Sequence, residues 1–147
     1  MDRRVVVTGL GVVSPVGIGV DTFWNSLMEG RSGVRRITTF DPSALDTQIA
    51  AEVPDFDPTD FMDRKEARRN DRFVQFGYAA SRLALDDAQL AITPQNATRV
   101  GVLIGSGIGG AITWEEQYTI LQTRGPSRVS PFFIPMIILN MASGVTS

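Results

Sequence analysis

Arg99-Val100-Gly101-Val102-Leu103-Ile104-Gly105-Ser106-Gly107-Ile108-Gly109-Gly110 decides how the rest of the chain is read. Its apolar run has no polar alternation, which predicts a strand buried on both faces of a parallel α/β sheet. Four glycines crowd the end of that strand, and Ala111–Gln122 reads as the helix that follows. Glycine serves where the chain turns tightly, takes positive φ or lets another group approach its backbone. Ligand sites in open α/β sheets lie at the carboxyl ends of strands, so the turn is the first place to expect one.

The spacing Gly105-x-Gly107-x-x-Gly110 matches a dinucleotide fingerprint in form. That motif requires an acidic residue roughly 20 positions later to hold the ribose. After Glu116 the chain contains no Asp or Glu, so the turn is not read as a nucleotide loop. Upstream, Arg4-Val5-Val6-Val7-Thr8-Gly9 predicts a second short strand, and Pro15 with Gly17 and Gly19 predicts a long loop after it. Asp21 is the expected N-cap of a helix with Phe23, Trp24, Leu27 and Met28 on its core face, closed by Gly30 and Gly33. Residues 31–46 read as a surface connection and 48–53 as an edge strand ended by Pro54.

In the segment 64–72, Lys65, Arg68, Arg69 and Arg72 fall at i, i+3, i+4 and i+7, and if it is read as one helix they share a face. That face is either a solvated surface or a docking site for an acidic partner. Asp60, Asp63, Glu66 and Asp71 are interleaved with these bases, which argues against nucleic acid. Residues 73–90 form the next helix, where Gly77 implies a close helix–sheet contact; Thr93-Pro94 ends the segment, and Gly125-Pro126 ends the helix after the glycine turn. The resulting order βα(β)αβα implies a parallel, layered sheet.

The chain has 147 residues, 43% hydrophobic and 20% charged, with a net charge of -2. No stretch supplies the ~20 apolar residues of a membrane span, and Met1-Asp2-Arg3-Arg4 does not open a signal peptide. There are no cysteines and no histidines, which removes disulfides, thiolate metal sites and the usual proton carrier near neutral pH. Ser130–Met141 is almost wholly apolar and must be covered by protein, its own or a neighbouring subunit's. The segment as a whole is expected to be part of a longer fold.

Val5-Val6-Val7-Thr8-Gly9-Leu10-Gly11, Ser14-Pro15-Val16-Gly17, Phe40-Asp41, Arg64-Lys65-Glu66, Gly105-Ser106-Gly107-Ile108-Gly109-Gly110 and Ser130-Pro131-Phe132-Phe133-Ile134-Pro135 together resemble the N-terminal part of a β-ketoacyl-acyl-carrier-protein synthase of the elongating type. The resemblance runs from Arg3 to the last residue. It implies a thiolase-like α/β fold, a five-layered α-β-α-β-α sandwich of which residues 1–147 form a partial domain, and a cytoplasmic homodimer.

The reaction the resemblance implies is a decarboxylating Claisen condensation of an acyl-enzyme with malonyl carrier protein in fatty acid biosynthesis. A cysteine thiolate at a helix N-terminus holds the acyl chain and two histidines assist. None of these catalytic residues is in the sequence, so the chain alone is expected to be inactive. No cofactor and no metal is implied. The resemblance assigns Ile108, Phe133 and Ile134 to the acyl pocket, the last two reaching in from a partner subunit. It assigns Lys65, Arg68, Arg69 and Arg128 to docking of the acidic acyl carrier protein. The alternatives are a non-catalytic partner subunit of the same fold, a nucleotide-binding domain and an inactive fragment.

Overall fold

The computed structural model describes residues 3–147; Met1 and Asp2, on which the reading of the N-terminus turns, lie outside them. In chain order the elements are β1 (Val13–Ser14), β2 (Gly17–Ile18), α1 (Val20–Met28), β3 (Arg35–Arg36), β4 (Ile49–Ala50), α2 (Arg64–Ala67), α3 (Arg72–Asp87), α4 (Ala111–Arg124), α5 (Phe133–Ile137) and α6 (Met141–Thr146). Short 3-10 turns span Pro58–Asp60, Ala97–Arg99 and Pro126–Arg128.

Two antiparallel pairs make up the ladders among the described residues. β1 and β2 pair Val13 with Ile18 and Ser14 with Gly17. The loop expected around Pro15 is thus a tight hairpin, held by the Ser14 hydroxyl donating to the Gly17 carbonyl at 2.9 Å. β3 and β4 pair Arg35 with Ala50 and Arg36 with Ile49, so the edge strand is present but short, and its partner falls in the stretch read as a surface connection. Beyond this ladder Glu52 extends the join. It accepts from the hydroxyls of Thr38 and Thr39, both at 2.7 Å, and from their N–H groups at 2.9 and 3.2 Å. These donors, the Thr39 hydroxyl foremost, lower the Glu52 pKa to about 2.

The two predicted central strands carry no ladder among the described residues. A ladder needs backbones about 4.8 Å apart. Here Thr8 and Gly9 and the stretch Val100–Ile104 face one another across a cavity of about 370 Å³ floored by α3. The 100–104 stretch is also not buried on both faces: Val102 and Ile104 turn inward while Leu103 is 98% exposed. The segment around Gly9 and Gly11 lies directly on α3. A Cβ at Gly9 would sit 2.3 Å from the Ala84 carbonyl oxygen, and one at Gly11 1.9 Å from that of Ala80. The Leu10 N–H donates to Asp87 Oδ2 at 2.8 Å and fixes the register.

The core follows α3. Val74 and Ala79 are fully buried on it, as is Ala142 on α6, which packs along it. Ser143 Oγ accepts from the Ile104 N–H at 3.0 Å and ties the extended stretch to α6. Gly77 does contact Ile104 and Ala142, but an added Cβ would meet both at an ordinary 3.5 Å; that glycine is not demanded by space. On α1 the N-cap is Gly19, with Asp21 inside the first turn. Its buried residue is Ser26, while Trp24, Leu27 and Met28 are exposed.

The helix read over 64–72 breaks in two. Asp63 caps α2 by accepting from the N–H groups of Lys65 and Glu66 at 2.9 and 3.0 Å, and Asp71 starts α3 afresh by accepting from Phe73. The corner is packed and polar, with Gln75 donating to the Ala67 and Asn70 carbonyls at 2.8 and 2.9 Å. None of the described helices is long and apolar enough to cross a membrane.

Candidate functional site

The glycine turn is built as its sequence implies. Gly109 takes φ +77°, and its N–H donates to Ser106 Oγ at 3.1 Å. A Cβ at Gly109 would fall 2.5 Å from the Ile137 carbonyl oxygen and one at Gly110 2.3 Å from that of Met136. The turn therefore rests on the backbone of α5, with the Gly110 N–H donating to the Ile137 oxygen at 3.2 Å. This contact pushes Ile108 out at the tip, where it is 80% exposed.

Behind the turn α4 begins without a side-chain cap of its own, since Gly110 occupies that position. Asp71 supplies the missing acceptor. Its Oδ2 receives the Thr113 N–H at 2.9 Å and the Thr113 hydroxyl at 2.7 Å, while Oδ1 caps α3. One carboxylate thus caps two helices, at 5% exposure for Asp71 and 2% for Thr113. A negative group suits both positive helix ends. The turn is accordingly held from two sides, by α5 through backbone contact and by α3 through Asp71.

Ile108 lines a cavity of about 510 Å³ with Trp114, Glu115, Ile137, Ile138 and Leu139. Phe133 stands outside it and packs on the Trp114 ring, centroids 5.6 Å apart. Ile134 is exposed and does not line it. Of the three residues assigned to an acyl pocket, then, Ile108 shares this cavity and the other two border it only through Trp114 or not at all. Trp114 and Ile137–Leu139 were missed from the sequence, although Ile137–Leu139 sit within the apolar run already singled out. That run is only partly covered: Phe132, Ile134, Ile138 and Leu139 remain exposed.

Lys65, Arg68 and Arg69 are exposed around α2 and its C-terminus, and Arg128 is exposed on the turn after α4. None of the four takes part in an ion pair among the described residues, where Arg31 with Glu29 at 2.5 Å is the pair present. Arg72, expected on the same face, is not there. The break at Asn70-Asp71 rotates it inward, where it donates to the Val53 carbonyl at 2.6 Å and lies over the Phe56 and Phe76 rings. Among the described residues no group of three His, Cys, Asp or Glu side chains is placed to hold a metal ion.

Residues 2–147 match the family model for the β-ketoacyl synthase N-terminal domain. The chain is 54% identical over 145 residues to 3-oxoacyl-[acyl-carrier-protein] synthase 2 of Synechocystis, and 56% identical over 145 residues to the protein of that name from Coxiella burnetii. Each alignment covers 99% of this chain and 35% of the relative, so the chain spans about a third of the length of the curated relatives it matches. Among solved structures, the ishigamide ketosynthase/chain length factor superposes with a TM-score of 0.83 at 32% identity, over 98% of this chain and 36% of that one. A β-ketoacyl synthase from Burkholderia phymatum gives 0.81 at 31% identity, over 99% of this chain and 36% of that one. The fold is therefore the N-terminal portion of the thiolase-like α/β architecture of ketosynthases, and the chain belongs to the β-ketoacyl synthase family, within its N-terminal domain.

Proposed function

We propose that this chain is the N-terminal segment of a 3-oxoacyl-acyl-carrier-protein synthase, a dimeric cytoplasmic acyltransferase of fatty acid biosynthesis. In the reaction, a thiolate outside this segment holds the acyl chain as a thioester. Malonyl carrier protein loses CO₂, its enolate attacks the acyl carbonyl, and the thiolate leaves as the 3-oxoacyl product forms on the carrier. This segment contributes binding: Ile108 at the mouth of an acyl pocket, Phe133 and Ile134 toward the far end of a partner's pocket, and Lys65, Arg68, Arg69 and Arg128 as contacts for the acidic carrier protein.

The observation that carries the reading is the exposed basic group at Lys65, Arg68 and Arg69, which forms no ion pair among the described residues, together with an apolar cavity at a glycine turn. Exposed cations outside ion pairs keep their charge for an acidic surface and speed its encounter. The high identity to two proteins named 3-oxoacyl-[acyl-carrier-protein] synthase 2 supports the same reading. The test is a condensation assay on the protein that carries this segment, with Lys65→Glu and Arg68→Glu combined. KM for acyl carrier protein should rise roughly tenfold, as two exposed charge contacts of up to about 1 kcal/mol each would give. KM for an acyl-pantetheine thioester should stay within twofold. An equal rise for both substrates refutes the docking assignment.

A second reading is favoured by the likeness to a solved ketosynthase/chain length factor: a partner subunit of the same fold without the nucleophile. It requires that no acyl-enzyme form when the protein is incubated with acyl carrier protein, whereas the first reading requires that one does.

A further inference from the structure

Two arginines that flank the α2–α3 corner lie over aromatic rings, and they differ in what their donors do. The Arg72 guanidinium sits 4.7 Å from the Phe76 centroid and 5.5 Å from that of Phe56, and it is spent inside the fold on the Val53 carbonyl. The Arg69 guanidinium sits 4.9 Å from the centroid of Phe132. It is exposed, forms no ion pair among the described residues and makes no side-chain hydrogen bond there. Its base is rigid: the Arg69 N–H donates to the Glu66 carbonyl at 3.0 Å, and the next residue, Asn70, is buried and bonded back to the same carbonyl at 2.9 Å.

Phe132 comes from a distant part of the chain, just before α5, and is 44% exposed. A ring under a guanidinium attracts its charge through the π face and leaves the planar fork of N–H groups free to meet carboxylates. We propose that Phe132 is a positioning residue for Arg69: it holds the guanidinium in one place on the surface, ready for an acidic partner. The proposal rests on the carrier-protein reading of the basic face and deepens it. Holding Arg69 before the partner arrives lowers the ordering cost of docking. The same ring belongs to the apolar segment whose next residue, Phe133, packs on Trp114, and Trp114 lines the Ile108 cavity. The docking face and the cavity wall are therefore joined by two successive phenylalanines.

The test is steady-state kinetics of the protein carrying this segment, with acyl carrier protein and with an acyl-pantetheine thioester as the two probes. Phe132→Leu should raise KM for the carrier-borne substrate roughly two- to fivefold and leave the pantetheine-borne one unchanged. Phe132→Tyr keeps the π face and should restore the wild-type KM. Combined with Arg69→Ala, Phe132→Leu should add nothing further, because the residue it positions is gone. Additive effects of the two substitutions, no rescue by tyrosine, or an equal rise for both substrates each overturn the proposal. Silent Phe132→Leu and Arg69→Ala together with a large effect of Lys65→Glu and Arg68→Glu would overturn it and leave the docking reading standing. Silence of all four would overturn both.

Discussion

The chain lays glycines on a neighbouring backbone in two places, and the two contacts serve different ends. Gly9 and Gly11 press on the carbonyls of Ala84 and Ala80 in the C-terminal half of α3. Neither takes a left-handed φ, so what they supply there is absence of volume alone. Gly109 and Gly110 press on the carbonyls of Ile137 and Met136 in α5, and Gly109 also needs φ +77°. The first contact seats an extended segment on the scaffold, with Leu10 pinned by Asp87. The second bends the chain so that a single isoleucine stands out over an apolar cavity. Close approach makes a floor in one case and a presentation device in the other.

The largest effect that follows concerns the floor. Gly11→Ala places a methyl 1.9 Å from a helical carbonyl oxygen, and relieving the clash requires the 9–11 segment to lift off α3 and strain the Leu10–Asp87 hydrogen bond. A stability loss of about 3 kcal/mol is expected, read from the urea midpoint of the protein carrying this segment. A loss below about 0.5 kcal/mol would mean that the 9–11 segment is not seated on α3.

The contrast sharpens at Ile108. Its side chain is exposed and owes its position to the turn beneath it, so Ile108→Phe should change stability by no more than about 0.5 kcal/mol. On the proposed function it should instead shift the acyl chains accepted toward shorter ones, as the larger ring takes volume from the cavity. Competition between short- and long-chain acyl carrier proteins measures this; an unchanged preference with unchanged stability would remove Ile108 from the pocket.

How much of this was legible in advance depends on whether the cause is local. The turn at 105–110, the helix after it and its end at Gly125, with φ +83°, were readable because glycine clusters and helical periodicity are properties of neighbouring residues. The break between α2 and α3 had a local signal too, since Asp63 and Asp71 are both good N-caps, but the run of bases reads equally well as one continuous face. That is why Arg72 was placed outside when it points inward. The double cap by Asp71 had no local signal, because Thr113 lies 42 positions away. Likewise the pairing of Arg69 with Phe132 depends on α5 folding back past α2. That Val5–Thr8 and Val100–Ile104 carry no ladder among the described residues teaches the same lesson: strand character is local, but pairing is a matter of what stands alongside.

The smallest effect is expected at a contact independent of both glycine pairs. Glu52 is half-buried, and four donors from Thr38 and Thr39 hold its ionised form. Its pKa falls from 4.5 to about 2. A depressed folded-state pKa contributes stability that is complete above 4.5 and is lost as pH falls from 4.5 toward 2. Glutamine does not titrate, so Glu52→Gln should lower Tm slightly at neutral pH, and its curve should converge with that of the wild type between pH 4.5 and 2. Gly11→Ala, whose cost is steric, should instead run parallel to the wild type over that window. If the Glu52→Gln and wild-type curves also ran parallel, the threonine donors would not be engaging the carboxylate. The join beyond β3 and β4 would then rest on its two-residue ladder alone.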